Sequence, residues 1–206
     1  MRIALYIEGG ESAEQRAALR QGFDALLDQQ KQRARERRMG WKSVCCGGRD
    51  RTHDAFLAEL RAEPQAVNIL LVDSEDPVPA GRLCREYLMG REGHWRLNEV
   101  PADHVHLMIQ CMEAWLVADP DALTRYYQQG FHGNALPRRQ NLEEERKVDI
   151  MAALERATRQ TQKKEYKKGR DDSKLLGSLD PQHVRARCPH FGVLTDFLDQ
   201  VIARAR

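Results

Sequence analysis

The sequence predicts an α/β protein built on a parallel sheet, and three observations carry that prediction. Short apolar runs rich in β-formers recur along the first three quarters of the chain. A Gly or Asp turn follows these runs, and segments with helical periodicity come after the turns. Strand–helix alternation of this kind implies right-handed crossovers, hence a parallel sheet with helices on both faces.

Ile3-Ala4-Leu5-Tyr6-Ile7 reads as a first buried strand, ended by Glu8-Gly9-Gly10. Ser12 is placed to cap a helix in which Ala18, Phe23, Leu26 and Leu27 recur near the 3.6-residue period, with Gly40 as its stop. Ser43-Val44-Cys45-Cys46 is a weaker second strand, closed by Gly47-Gly48. Thr52 then caps a helix carrying Phe56, Leu57 and Leu60 that ends before Pro64. The third strand, Ala66 to Val72, is the clearest and runs into Asp73-Ser74-Glu75-Asp76, where Pro77 and Pro79 end regular structure. A loop-rich stretch leads to a fourth strand, Val105 to Gln110, then a buried helix start from Cys111 and another helix from Asp119-Pro120. Leu142 to Thr158 reads as an amphipathic helix with Val148, Ile150, Met151 and Leu154 on its apolar side, and Leu194, Phe197, Leu198 and Val201 mark a closing helix.

The 206 residues suit one α/β domain over residues 1–132, with a helical C-terminal extension over residues 133–206 packed on it. No apolar run approaches the roughly 20 residues of a membrane helix. The first apolar run reaches Glu8 too soon for a secretory leader. Five cysteines without CxxC pairing point to a reducing, cytoplasmic setting rather than a disulfide framework. The net charge of +2 conceals segregation. Eight Lys and Arg residues fall between Lys31 and Arg51, and six between Arg159 and Arg170, which suggests an anionic partner. The chain lacks a GxxxxGK[ST] loop, so ATP hydrolysis is not expected, and it has no GxSxG nucleophile motif. The vicinal Cys45-Cys46 pair has no further ligand at zinc spacing.

Ligands of open parallel sheets bind at the carboxyl ends of the strands, and three such ends here carry acids. Glu8 ends the first strand, Asp73, Glu75 and Asp76 end the third, and Glu113 follows the fourth. In extended backbone Asp73 and Glu75 project to one side. Carboxylates crowded into one cleft repel unless compensated. A hard divalent cation, Mg²⁺ or Mn²⁺, supplies that compensation and bridges to phosphodiester oxygens.

Ile7-Glu8-Gly9 after the first strand and Val72-Asp73-Ser74-Glu75 after a later one resemble the Toprim signature, an acid with glycine and a distant Asp-x-Asp. More narrowly, four stretches make the chain similar to the bacterial Toprim-like family of unknown function 4276. They are Tyr6 to Gly10, Cys46-Gly47-Gly48-Arg49, Leu71 to Pro77, and His106 to Trp115; the Tyr166–Arg170 stretch and Asp180-Pro181 extend the likeness. The resemblance implies a Mg²⁺-dependent nuclease or related phosphotransferase acting on nucleic acid. Glu8 would be general acid/base or metal ligand, and Asp73 and Glu75 would hold metal. The second acid departs from the pattern, being Glu75 with Asp76 beside it, so either fills that position. The resemblance also implies a possible ATPase protein partner and an antiphage role. The rival reading is a non-catalytic interaction subunit of such an ATPase, and a third is nucleotide binding at the sheet edge.

Other residues complete the expected site. Arg49 after Gly47-Gly48 is a phosphate contact. Lys163, Lys164, Lys167, Lys168 and Arg170 surround Tyr166, a combination suited to phosphate contacts plus stacking on a base. Lys168 is the cation expected to stabilise developing phosphorane charge, with Lys147 and Lys174 as lesser candidates. Gln110 and Glu113, three apart, would share a helical face toward the metal. His104 and His106 alternate along the fourth strand, so one could point to the site, but a packed or surface histidine is the expectation over a ligand; Trp115 belongs to the core.

Overall fold

The computed structural model describes residues 1–205. Its sheet has four strands, β1 (Arg2–Glu8), β2 (Gly40–Gly47), β3 (Val67–Asp73) and β4 (Val105–Met108), all parallel in the order β2-β1-β3-β4. The α/β class and the sheet expected from the sequence are therefore present. Helices α1 (Ala13–Leu26), α2 (Asp28–Glu36) and α3 (Arg49–Ala62) connect the first three strands, and α4 (Cys84–Glu92) lies between β3 and β4. After the sheet come α5 (Glu113–Ala118), α6 (Pro120–Tyr127), α7 (Lys147–Thr158), α8 (Asp172–Leu176), α9 (Pro181–Arg187) and α10 (Pro189–Arg204). No helix among the described residues is long and apolar enough to cross a membrane.

The strands read as unbroken apolar runs because both sheet faces are covered. Successive residues alternate between the faces. Ile3, Leu5, Ile7, Ile69 and Leu71 pack with Phe23 of α1 and Trp115 of α5. Ala4, Tyr6, Leu70 and Val72 pack with Phe56 of α3, Leu88 of α4 and Trp95. The first of these cores also takes Leu154, Leu175, Leu194 and Leu198, so α7, α8 and α10 bury their apolar sides in the same core as the sheet. Contact between α1 and α8 is close because Gly22 has no side chain: a Cβ there would sit 2.5 Å from the Ser173 carbonyl oxygen.

Several local expectations are refined. Ser12 caps α1 through a full capping box with Gln15, but the helical stretch breaks at Leu27 and resumes as α2, and Gly40 opens β2 rather than merely stopping a helix. Gly48, not Thr52, is the N-cap of α3; Thr52 lies in the first turn, where its hydroxyl donates to the Gly48 carbonyl. The loop-rich stretch contains α4, held by buried Tyr87 and Leu88. The amphipathic helix begins only at Lys147, and this turns Val148 outward, 64% exposed.

Candidate functional site

The strand order has its switch point between β1 and β3: the chain leaves β1 for β2 on one side and returns to place β3 on the other. Glu8 is the last residue of β1 and Asp73 the last of β3. The carboxyl edges of two neighbouring strands thus bring together acids 65 positions apart. A cavity of about 300 Å³ opens above them, lined among others by Glu8, Gly9, Gly47, Asp73, Glu75, Lys147 and Lys168. Gly9 and Gly47 exchange both backbone hydrogen bonds, at 2.8 and 3.1 Å, which ties the β1 and β2 ends into one rim. Gly9 has φ +133°, and a Cβ there would lie 2.6 Å from Leu19 Cδ2, so this rim position requires glycine.

One Glu8 oxygen, Oε2, accepts from the Asp73 backbone N–H at 3.1 Å and from Arg49 Nη1 at 3.2 Å. The same Arg49 Nη1 donates to the Asp73 carbonyl at 2.7 Å, and Arg49 Nε donates to Glu92 at 2.6 Å. Arg49 also lies over the Trp95 ring, 5.6 Å from its centroid. Burial raises the Glu8 carboxyl above its ordinary value, and the Arg49 charge only partly opposes this.

Asp73 is 4% exposed. Its Oδ1 accepts from the Met112 N–H at 2.9 Å, and its Oδ2 lies 3.8 Å from Lys168 Nζ. Glu113, fully buried, places Oε1 at 3.3 Å from the same ammonium and accepts from the Tyr166 hydroxyl at 3.1 Å, while its Oε2 has no hydrogen-bond partner. Lys168 therefore bridges two buried carboxylates from the pocket side. Burial pushes Asp73 up to about 7; Lys168 opposes the rise, and the charges of Glu113 and Glu8 add to it. For Lys168, burial works against the charged form, but Glu113 and Asp73 outweigh it and hold the ammonium above its ordinary value. The acids outnumber the positive charge that reaches them, so this corner of the protein favours uptake of a further cation or a proton.

Beyond Asp73 the backbone does not stay extended. Glu75 has φ +67°, and its N–H donates to the Gln110 carbonyl at 3.1 Å. Ser74 fixes the turn, with its hydroxyl donating to the Asp76 carbonyl and accepting the Gln110 N–H at 2.6 Å. This left-handed turn still delivers Glu75 to the cavity, where Oε2 meets Lys147 Nζ at 2.7 Å. Burial disfavours the Lys147 ammonium, but its hydrogen bond to Glu75 and the nearby Asp73 charge raise it above its ordinary value.

Of the sequence-derived residues, Glu8, Asp73, Glu75 and Lys168 line one pocket, and Glu113 stands behind Lys168. Asp76 does not join them: its exposed carboxylate pairs with Arg91, and it lies outside the pocket lining, so Glu75 is the second acid of the motif to reach the cavity. Arg49 is likewise outside that lining; it clamps Glu8 and the end of β3 instead of facing a ligand. Tyr166 is 3% exposed with its hydroxyl on Glu113; it contributes to the wall of a neighbouring groove but is buried rather than presented for stacking on a base. The basic segment divides. Lys164, Lys167 and Arg170 line a separate open groove with Arg159, while Lys163 sits over the Tyr126 ring, 5.0 Å from its centroid. Gln110 is not helical, with φ +58°; its side chain holds the Glu143 carbonyl and the Lys147 N–H. His104 and His106 pack against Phe197. Glu92 and Trp95, which steady Arg49, belong to no motif recognisable in the sequence. Tyr87-Leu88 ahead of Glu92 was the available helical signal.

A family model described as a domain of unknown function (DUF4276) matches residues 8–199. Comparison with curated proteins and with solved structures returned no match.

Proposed function

Because this chain belongs to the DUF4276 family, whose description assigns no activity, we propose a function from the site itself: a Toprim-like, divalent-cation-dependent nuclease or related phosphotransferase acting on nucleic acid. The observation that carries this reading is the meeting of Glu8 and Asp73 at the β1/β3 switch point, in a cavity that also holds two lysines.

A hard cation suits the donors in kind. Among the described residues no three His, Cys, Asp or Glu side chains converge as a ready-made metal site. Mg²⁺, however, commonly takes one or two carboxylates and completes its shell with water and substrate phosphate. Asp73 and Glu8 would hold it. Glu75 would be the next ligand, and the unpartnered Oε2 of Glu113 supports the same demand for positive charge. When bound, such a cation supplies charge that polarises a phosphodiester and acidifies water.

The remaining work falls to the protein's own groups. Lys168 Nζ is placed to neutralise charge developing on a phosphoryl oxygen at the pocket mouth. Lys147 orients Glu75, and Arg49 keeps Glu8 aligned with the end of β3. Arg159, Lys164 and Lys167, with Arg170 held on Asp171, outnumber Glu155 and Glu165 along a groove contiguous in sequence with Lys168, where backbone phosphates would lie. Asp73→Asn retains the oxygen that accepts from Met112 but loses the charge. It is expected to abolish Mg²⁺- or Mn²⁺-dependent cleavage of single- or double-stranded DNA or RNA while leaving the folded state intact. Retained cleavage by this variant refutes the assignment.

One observation favours a second reading, a non-catalytic interaction subunit of an ATPase partner. The pocket acids already have cationic neighbours: Glu75 has Lys147, Glu8 has Arg49, and Asp73 has Lys168. Titration of the protein with Mg²⁺ and Mn²⁺ separates the two. Affinity lost in Asp73→Asn supports the enzyme, and no binding at millimolar metal supports the interaction subunit.

A further inference from the structure

The acids at the carboxyl edge of the sheet divide by the cation each one faces. Glu8 and Glu75 line the cavity and are paired with Arg49 and Lys147. Asp73 and Glu113 share a different partner: Lys168 Nζ lies 3.8 Å from Asp73 Oδ2 and 3.3 Å from Glu113 Oε1. Glu113 is fully buried, and its Oε2 has no hydrogen-bond partner. A buried carboxylate short of donors is costly and calls for positive charge beside it. Here a single ammonium answers that demand for two carboxylates at once.

Lys168 is fixed in place by the residues around it. Tyr166 is 3% exposed; its N–H donates to Thr158 Oγ1 at 2.7 Å, and its hydroxyl donates to Glu113 Oε1 at 3.1 Å. One turn therefore sends both a phenol and an ammonium to the same Glu113 oxygen. The Lys167 N–H donates to Asp171 Oδ2 and the Gly169 N–H to Asp172 Oδ2, each at 3.0 Å. Gly169 has φ +81°, and a Cβ there would lie 2.5 Å from Gln15 Nε2, so the turn sits tightly against α1. An ordinary surface lysine is not anchored on both sides in this way. Lys168 also lines the cavity, and its side chain stays 48% exposed, so a ligand oxygen can still reach the ammonium.

Phosphodiester chemistry commonly uses a pair of divalent ions about 3.5–4 Å apart. A second ion needs its own oxygen donors, and Asp73 with Glu113 would be the set to supply them. Those two carboxylates are bridged by Lys168 instead, and among the described residues no three His, Cys, Asp or Glu side chains converge. Resting on the divalent-cation reading of the pocket, we infer that Lys168 is a built-in monovalent cation in the position a second divalent ion would take between Asp73 and Glu113. The pocket then takes one divalent ion, held on the Glu8 side of Asp73, and Glu113 serves the ammonium rather than the metal.

Counting Mn²⁺ bound to the full chain at pH 8, by equilibrium dialysis with electron paramagnetic resonance of the free ion, tests this without any activity assay. The wild type is expected to bind one ion and Lys168→Ala two, since removing the ammonium opens the Asp73–Glu113 position to a hydrated cation. Lys168→Ala combined with Glu113→Gln is expected to return to one. Two ions in the wild type, or a single ion in Lys168→Ala, overturns the assignment of Lys168 and leaves the divalent-cation reading standing. No ion in the wild type overturns both. Should Lys168→Ala be too unstable for dialysis, the dependence of its urea midpoint on log [Mn²⁺] decides. A slope about twice that of the wild type is expected when two ions bind the folded state in place of one. Equal slopes, or a variant that stays unfolded at saturating Mn²⁺, overturn the assignment.

Discussion

Lys168→Met removes the ammonium that faces both Glu113 and Asp73 while keeping much of the side-chain stem. Glu113 is fully buried, with one oxygen already unpartnered, and Asp73 is 4% exposed. Breaking a fully buried ion pair by deleting one partner costs about 3–5 kcal/mol. Lys168, however, is 48% exposed, so water screens part of its interaction, and a loss of about 1–3 kcal/mol is the appropriate expectation. In a chain of 206 residues this lowers Tm by about 2–12 °C. The penalty depends on pH with a definite sign. Asp73 in the folded protein sits near 7, above its value of about 3.9 in an unfolded chain, and loss of Lys168 moves it further up. Between those values the folded state binds more protons than the unfolded state, so the contribution of Asp73 to stability falls as pH rises. The Asp73 part of the difference between wild type and Lys168→Met therefore opens as pH rises through about 7 and is small at pH 5, where Asp73 is protonated in both folded proteins. Urea denaturation at pH 8 and pH 5 measures both quantities, and 10 mM-range Mg²⁺ at pH 8, roughly saturating for a weak oxygen-ligand site, is expected to restore part of the loss. Equal stability of the two proteins at pH 8, or a difference that grows toward pH 5, refutes the idea that Lys168 compensates these acids.

Arg49→Lys keeps the charge but cannot reach Glu8, the Asp73 carbonyl and Glu92 together; a loss of about 1–3 kcal/mol in urea denaturation is expected. Gly9→Ala places a methyl group 2.6 Å from Leu19 Cδ2 at φ +133°, and a comparable loss of about 1–3 kcal/mol should appear in the same assay. His106 is 3% exposed and burial lowers its pKa to about 4, against about 6.5 in the unfolded chain. Its stabilising contribution is thus complete above about pH 6.5 and is lost as pH falls through 4. Between pH 7 and 4.5 the wild type should lose about 2–3 kcal/mol more than His106→Gln, and parallel pH profiles of the two would contradict this.

The order of strands and helices was legible because a parallel sheet covered on both faces writes its strands as short unbroken apolar runs, such as Ile3 to Ile7 and Ala66 to Val72. The acids at the ends of those runs were legible for the same reason. Once a strand is recognised, its carboxyl end is known, and Glu8 and Asp73 needed only the parallel arrangement to become neighbours. Helix α4 is less visible, because Gly90 and flanking Arg and Glu residues dilute a short apolar stripe, and Glu92 as a partner of Arg49 is hidden with it.

The order of strands, the α/β class and the acids at the switch point all follow from local periodicity and strand polarity. Which of those acids share a cavity, and with which partners, is settled by packing in three dimensions. Asp76 turns away to Arg91 while Glu75 turns in through a left-handed residue, Tyr166 is buried against Glu113, and Lys168 alone of its basic segment reaches Asp73. Side-chain pairing across 50 or more positions depends on how α5, α7 and the 160s loop pack above the sheet. That packing is set by summed burial over the whole core, and no short window of residues records it.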